Sequence, residues 1–351
     1  MTAQDVTAQG ITTPDRDGEL PHTTLAERRV PVPRSISPEA RRKLAELADM
    51  PRVSFPDARD AAGWRASVAA QIERELAALP PGSARSVAAS YGVELTLGRV
   101  GRVPVHEATP PGWEPGDERV VLMLHGGGWI QGGGELAAVM TVLEAATLGL
   151  RVRGVDYRMA PDHPYPAPLD DCLAVYRAQL DQTEPGLIAL TGTSAGANLA
   201  AATVLRARDE GLPTPGAVAL WSPSVDLTRD GDTWHTLDGL DPVIGLHMGT
   251  LMDYYARGQD PRDPYLSPVF GDLSGFPPTL LGSGTRDGLL SDTVRFHRAL
   301  RRAGADAHLH VHEAMTHSAF FGGAPEEAEV GAEVKAFLHG RLRPGKEADD
   351  A

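Results

Sequence analysis

Between residues 119 and 342, short apolar runs alternate with longer stretches in which apolar residues recur every three or four positions. Such runs are typical of strands buried on both faces of a parallel sheet, and the periodic stretches predict helices. The predicted strands are 119–124, 150–155, 187–191, 217–221, 279–282 and 307–311, and the predicted helices are 135–148, 169–179, 197–202, 292–303 and 325–342. This alternation indicates a mostly parallel sheet with helices on both faces.

The chain before residue 91 follows a different pattern. Residues 1–36 carry Thr, Asp, Gly and Pro without periodicity, so we expect a flexible arm. Two helices are predicted within 37–88, the first with Ser37 as its N-cap and Pro38 at its first position. The second covers 61–79 and places one apolar stripe on a single face, formed by Trp64, Val68, Ile72 and Leu76.

Two further segments complete the predicted organisation. Residues 91–107 alternate apolar and polar positions and predict an antiparallel hairpin, with Gly98 and Gly101 around its turn. An excursion at about 226–262 breaks the strand–helix alternation and contains one predicted helix, 247–257. We expect this excursion and residues 37–88 to form a helical cap over a catalytic domain at 89–345.

The chemistry centres on Gly192–Gly196, which has the pattern Gly-x-Ser-x-Gly between a predicted strand and a predicted helix. A side chain two residues before or after Ser194 would strike the neighbouring strand or helix, and glycine has none. The turn can therefore hold Ser194 in a strained conformation with its hydroxyl exposed, as a nucleophile requires. A tight turn that merely contains a serine is the alternative interpretation.

A glycine-rich segment, His125–Trp129 followed by Gly132–Gly134, comes directly after the strand at 119–124. Glycines let backbone N–H groups converge on one point, where they stabilise a developing oxyanion. A phosphate-binding loop is the alternative, but no Gly-Lys-Ser/Thr follows, and no Gly-x-Gly-x-x-Gly opens a helix. We interpret His125 as a residue that braces the loop through backbone hydrogen bonds.

These two segments resemble the hormone-sensitive-lipase-like (bacterial family IV) branch of the α/β-hydrolases. With Thr193 before the serine, the turn at 192–196 resembles the GTSAG subgroup of that branch. Residues 156–167 and 263–268 resemble other segments of that family, so the resemblance spans roughly 91–342. It implies an α/β-hydrolase fold and a homodimer. It also implies an oxyanion hole formed by the backbone N–H groups of Gly127, Gly128 and Ala195.

An acid and a base are expected in loops after late strands. Asp287 follows the strand at 279–282, where sites of open α/β sheets gather, whereas Asp292 suits the first turn of the next helix. His317 follows the last strand, and the chain order Ser194, Asp287, His317 is that of an α/β-hydrolase.

The chain departs from the family pattern in both loops. The family usually has Asp-Pro-Leu where this chain has Asp287-Gly288-Leu289, so we expect a looser loop that keeps its carboxylate. The family usually has His-Gly-Phe where this chain has His317-Ser318-Ala319-Phe320. We expect that change to alter access or the path of the loop and to leave the base in place.

Three histidines, His308, His310 and His312, alternate along the strand at 307–311 and therefore lie on one face. Such a trio can bind a metal ion. The apolar residues between them are typical of a half-exposed edge strand, so we expect solvated histidines and no metal site.

Composition narrows the class of partner. Among 351 residues, 47 are acidic and 33 are Lys or Arg, and the net charge of −14 argues against nucleic acid and anionic membranes. Cys172 is the only cysteine, and no apolar run approaches the length of a membrane span. The first residues lack the features of a signal peptide, so we expect a cytoplasmic protein.

The combined pattern predicts a serine carboxylesterase in which Ser194 attacks, His317 transfers the proton and Asp287 orients the imidazole, with no cofactor. The resemblance implies a small-molecule ester with a short-to-medium acyl chain; lactones, carbamates and amides are the related alternatives. A non-catalytic small-molecule receptor is the alternative from another class, but receptors on this fold lose a triad member. Because His317 must be neutral to act, we expect kcat/KM to fall on acidification around pH 6–7.

Overall fold

The structure is a computed structural model that describes residues 29–48, 54–57, 60–78, 83–317, 319–320 and 322–343. The chain divides into two units, Met1–Pro33 and Arg34–Ala351. Residues 29–33 of the first unit form neither a helix nor a strand, and residues 1–28 of the predicted arm lie outside the described residues. The helices and strands below belong to the second unit.

One sheet contains eight strands of the described residues: β1 (Glu94–Val100), β2 (Val103–Thr109), β3 (Val120–Leu124), β4 (Arg151–Val155), β5 (Ile188–Thr193), β6 (Ala217–Trp221), β7 (Thr279–Gly284) and β8 (Ala307–His312). Their order is β1-β2-β4-β3-β5-β6-β7-β8. β2 is antiparallel to both of its neighbours, and the pairs from β4 to β8 are parallel. The mostly parallel sheet predicted from the sequence is therefore confirmed.

The register brings the carboxyl ends of the central strands to one edge of the sheet. Leu124, the last residue of β3, pairs with Gly192 of β5. Trp221, the last residue of β6, pairs with Thr193 on one side and with Gly282 of β7 on the other. Residues that follow these strands therefore emerge side by side, where open α/β sheets hold their sites.

Helices cover both faces of the sheet: α1 (Pro38–Ala48), α2 (Ala61–Ala78), α3 (Ser83–Tyr91), α4 (Glu135–Leu148), α5 (Ala167–Leu180), α6 (Ala195–Asp209), α7 (Thr233–Thr236), α8 (Gly249–Ala256), α9 (Leu290–Arg302) and α10 (Pro325–Arg341). Alternate residues of β3 face opposite ways: Met123 lies in an apolar cluster with Val142 of α4 and Leu338 of α10. Leu122 lies in the opposite cluster, with residues of α5, α6 and α9. No helix of the described residues is long and apolar enough to span a membrane.

The helices and strands predicted after residue 119 are present. Most shift by one or two residues at their ends, but α6 continues to Asp209, seven residues beyond the predicted helix at 197–202. The sequence did not predict α3, because its buried residues, Ala84 and Ala88, are too small to produce a visible apolar stripe. Gly98 lies within β1 rather than at the turn, which falls between Val100 and Val103. The excursion contains α7 in addition to the expected helix, α8.

The predicted start of α1 is confirmed, because the Ser37 hydroxyl oxygen accepts the backbone N–H of Ala40 at 3.1 Å. The predicted stripe of α2 fades toward its end. Trp64 and Val68 are buried, whereas Leu76 is 41% exposed.

Aromatic side chains join α2 to the excursion. The buried Trp64 ring stacks on Tyr254 of α8 with 4.5 Å between centroids, and on Phe55 with 5.4 Å. Phe55 in turn stacks on His247 of the excursion at 6.2 Å. These contacts link the two segments expected to form a cap, and the division of the chain at residue 88 stays a prediction.

Asn198 of α6 links the helix to two loops, since its side-chain N–H₂ donates to the carbonyl oxygens of Ser224 at 2.8 Å and Leu266 at 2.7 Å. Substituting Asn198→Ala removes both donors, so the free energy of unfolding should fall by about 1–3 kcal/mol in urea titrations. The exposed Gln259→Ala is the control, with an expected change within about 0.5 kcal/mol. Unchanged stability of Asn198→Ala would show that these bonds contribute nothing.

Candidate active site

Ser194 occupies the turn between β5 and α6 with φ 58° and ψ −119°. Residues other than glycine rarely adopt a positive φ, and holding one there costs about 1–3 kcal/mol. Hydrogen bonds hold the turn: the backbone N–H of Ser194 donates to the Trp221 carbonyl oxygen at 2.9 Å, and its own carbonyl accepts the N–H of Asn198 at 3.0 Å. The backbone has the strain expected of a serine nucleophile.

The two glycines around Ser194 have no room for a side chain. A Cβ on Gly192 would lie 2.5 Å from the backbone of Gly196 in α6. A Cβ on Gly196 would lie 1.9 Å from the carbonyl oxygen of Leu124 at the end of β3. The expected collisions with a neighbouring helix and a neighbouring strand are therefore both found.

The glycine-rich loop after β3 lies against this turn. A Cβ on Gly126 would lie 3.0 Å from the Thr193 carbonyl oxygen and 3.7 Å from the Ser194 Cβ. Gly127 has φ 115° and Gly128 has φ 61°, so the loop adopts a path that favours glycine at both positions. The loop is thereby placed beside the serine.

The segment after β4 holds the glycine-rich loop in place. The Asp156 carboxylate accepts the N–H of Gly134 at 3.0 Å, and the Tyr157 hydroxyl donates to the His125 carbonyl oxygen at 2.6 Å. Ala160 donates its N–H to the carbonyl oxygen of Trp129 at 2.9 Å. Three hydrogen bonds thus span the loop from its start to its end.

His125 is buried and stacks on the Tyr157 ring with 4.1 Å between centroids. Its Nδ1 lies 2.8 Å from the Gly126 carbonyl oxygen, to which it donates in the tautomer that carries the proton there. Burial lowers the pKa of His125 to about 4, against that backbone hydrogen bond, so the ring is neutral at pH 7. The structure agrees with a bracing role.

Asp287 and His317 meet at the carboxyl edge of the sheet. The imidazole Nδ1 of His317 lies 3.2 Å from Asp287 Oδ1, and both side chains are buried. Asp287 also accepts the Ser283 hydroxyl at 2.6 Å and the N–H of Leu289 at 2.9 Å. The carboxylate is therefore fixed from three directions.

Each member of this pair favours the charged form of the other. Burial disfavours the charged carboxylate, but the hydrogen bond and charge of His317 outweigh it, so the pKa of Asp287 lies below its ordinary value. Burial likewise disfavours the imidazolium, but the hydrogen bond and charge of Asp287, with the charge of Asp241, leave the pKa of His317 raised. The imidazolium form of His317 therefore persists to a higher pH than that of an unperturbed histidine.

Asp292 lies in the first turn of α9, as predicted from the sequence. Its oxygens accept the indole N–H of Trp234 at 3.1 Å and the backbone N–H of Asp226 at 3.2 Å. Burial, reinforced by the charge of Asp226, raises the pKa of Asp292 well above its ordinary value. Asp287 and Asp292, both buried, thus have opposite pKa shifts.

The sequence did not single out Asp241, which lies in the excursion. Its Oδ2 accepts the N–H of Gly288 at 2.8 Å and that of His317 at 3.1 Å. A Cβ on Gly288 would lie 2.5 Å from Ile244, so the loop after Asp287 is held tightly. These contacts oppose the expected loosening of that loop. Ser318, from the other departure, lies outside the described residues.

The histidines of β8 are not simply solvated. β8 is the edge strand, but α10 packs beside it, and Glu333 approaches His310 at 2.5 Å and His312 at 3.3 Å. His308 instead pairs with Asp306 at 3.0 Å. Within the described residues no group of three or more His, Cys, Asp or Glu side chains is arranged to hold a metal ion.

Comparison with known proteins shows which family this chain belongs to. Residues 121–321 match the family model described as alpha/beta hydrolase fold. An acetyl-hydrolase of Streptomyces hygroscopicus is 35% identical over 190 residues, which cover 54% of this chain and 64% of that protein, slightly under two thirds of its length. An esterase of Acinetobacter venetianus is 32% identical over 225 residues, covering 62% of this chain and 74% of that protein.

Solved structures agree. The esterase E25 superposes with a TM-score of 0.84 at 33% identity, covering 92% of this chain and 99% of that one. An esterase from the bacterial hormone-sensitive lipase family superposes with a TM-score of 0.72 at 31% identity, covering 88% and 99%. The chain belongs to the alpha/beta hydrolase fold family. Within that family it groups with the esterases of the bacterial hormone-sensitive lipase family, as the resemblance implied.

The raised pKa of His317 can be measured directly. In an NMR titration of the full chain, the imidazole should titrate above its ordinary value of 6.5, because Asp287 stabilises the imidazolium. Asp287→Asn removes that charge and should lower the pKa of His317 by about one unit or more. Titration of the wild-type ring at or below the ordinary value would contradict the geometry.

Proposed function

We propose that the protein is a serine carboxylesterase in which Ser194 is the nucleophile, His317 the general base and acid, and Asp287 the residue that orients the imidazole. The observation that carries this proposal is the buried Asp287–His317 pair at the strand edge that also presents the strained Ser194. The linking element is β6, since Trp221 accepts the N–H of Ser194, and the next residue, Ser222, places its hydroxyl 3.5 Å from the His317 carbonyl oxygen.

In this mechanism the Ser194 oxygen attacks the ester carbonyl carbon while His317 takes its proton. The resulting oxyanion accepts hydrogen bonds from the backbone N–H groups of Gly127, Gly128 and Ala195. Each such donor is worth about 2.7–4 kcal/mol in the transition state. His317 then protonates the leaving alcohol, and water, activated by the same imidazole, releases the acid from the acyl-enzyme.

We infer a small ester with a short-to-medium acyl chain as the substrate. The relatives include an acetyl-hydrolase, and one solved relative was soaked with p-nitrophenyl butyrate. The excursion also packs against the glycine-rich loop, because a Cβ on Gly128 would lie 3.2 Å from the Leu251 side chain of α8. A side chain at this position limits the space beside the reacting carbonyl.

The proposal extends to a homodimer in the cytoplasm, as expected from the sequence. The lone cysteine, Cys172, is buried, and burial raises its pKa well above the ordinary value. A thiol in this state is unreactive and fits a compartment without disulfide formation. The GTSAG pattern at residues 192–196 supports the dimer by resemblance.

The nucleophile can be tested by covalent labelling. A fluorophosphonate should add one adduct to the full chain, and Ser194→Ala should abolish both the adduct and ester hydrolysis, because the attacking oxygen is gone. Ser274→Ala, an exposed serine, is the matched control and should label like the wild type. Labelling that survives in Ser194→Ala would reject the assignment, as would loss of wild-type activity to a chelator.

The choice of carboxylate is testable by amide substitution. Asp287→Asn should lower kcat by about four orders of magnitude, because the imidazole loses its orienting charge. Asp292→Asn should leave kcat close to that of the wild type, because the Asp292 oxygens accept the N–H groups of Trp234 and Asp226 while the His317 imidazole is paired with Asp287. Steady-state kinetics on both variants would show the reverse order if Asp292 were the triad acid.

A further inference from the structure

One carboxylate of the excursion reaches both loops that carry the proposed acid and base. Asp241 is 2% exposed, and its Oδ2 accepts the N–H of Gly288 at 2.8 Å and that of His317 at 3.1 Å. Its Oδ1 accepts the N–H groups of Val243 at 2.8 Å and Ile244 at 3.0 Å. One side of the carboxylate therefore binds its own turn and the other side bridges two distant loops.

We propose that Asp241 is a positioning residue that fixes the Asp287–His317 pair from the excursion and stabilises the imidazolium by its charge. The inference rests on the proposed roles of Asp287 and His317. Asp241 would act through those residues and is not assigned a contact with the substrate.

The bridge has a steric counterpart. Gly288 follows Asp287 directly, and a Cβ there would lie 2.5 Å from Ile244, which is in the turn that begins at Asp241. Proline, which the resembling family usually has here, would fill this space and could not donate an N–H. The glycine thus allows both the close approach of the excursion and the hydrogen bond to Asp241.

The surroundings of Asp241 act on its charge in opposite directions. The four hydrogen bonds to its oxygens all come from N–H donors, which stabilise a carboxylate. Burial and the charge of Asp287 outweigh these bonds and the charge of His317, so the pKa of Asp241 lies above its ordinary value. The charged groups that face His317 are Asp287, from the loop after β7, and Asp241, from the excursion.

The test is Asp241→Asn in the full chain, with Asp230→Asn as the matched control. Asp230 lies in the same excursion, is exposed and loses the same unit of charge. In Asp241→Asn, an NH₂ group replaces one carboxylate oxygen and then faces backbone N–H donors. The loops that carry Gly288 and His317 should therefore shift. We expect kcat to fall about 10- to 100-fold with little change in KM.

A second readout separates positioning from a general loss of structure. The acid limb of kcat/KM and the NMR pKa of His317 should both move down by about 0.5 unit or more in Asp241→Asn, because one stabilising charge is lost. Asp230→Asn should keep wild-type values. A folded Asp241→Asn with unchanged kcat and unchanged His317 pKa would overturn the proposal.

The NMR titration needs no turnover, so it separates this inference from the proposed function. Suppose the His317 pKa falls in Asp241→Asn but the wild type hydrolyses no ester. That result would support the positioning role of Asp241 and reject the proposed esterase activity. Where Asp241→Asn does not fold, hydrogen exchange of the wild type decides. The Gly288 and His317 amide protons should both be protected, and rapid exchange of both would overturn the bridge.

Discussion

The contact between α6 and the end of β3 is the constraint on which the site depends. The approach is so close that a single methyl group on Gly196 would lie 1.9 Å from the Leu124 carbonyl oxygen. Because α6 begins at Ala195, the chain has to change direction at the single residue Ser194. The positive φ of Ser194 is the result of this tight turn. Parallel strands then place the loop after β3 and the end of β6 beside that residue, and bring the loop after β7 to the same edge of the sheet.

Two buried carboxyl groups near this edge, Asp287 and Asp292, show how the surroundings shift the pKa of an acid. Asp287 receives a hydroxyl, a backbone N–H and an imidazole, and its pKa falls below the ordinary value despite burial. Asp292 has fewer donors and a nearby carboxylate, and its pKa rises well above that value. Residue type and burial are alike in both, so the donors and neighbouring charges determine which acid can orient a histidine.

Sequence patterns predicted the features that depend on local geometry and chain order. The strand–turn–helix around Ser194, the capped start of α1 and the edge position of β8 are of this kind. Contacts between distant segments left no such pattern. Asp241 lies 76 residues before His317, and its Asp-Pro dipeptide indicates only a turn. The pairing of Glu333 with His310 depends on how α10 crosses an edge strand, which periodicity does not encode.

The glycine after Asp287 shows why a motif departure has to be judged with its neighbours. Taken alone, exchanging proline for glycine frees one backbone angle and should loosen a loop. In this fold the same exchange adds an N–H donor, which binds Asp241, and removes a ring, whose space is taken by Ile244. The freedom gained by the backbone is therefore opposed by a buried hydrogen bond from Gly288 to the Asp241 carboxyl group. The excursion thereby becomes part of the support of the acid and the base, and a change in either segment has to be matched in the other.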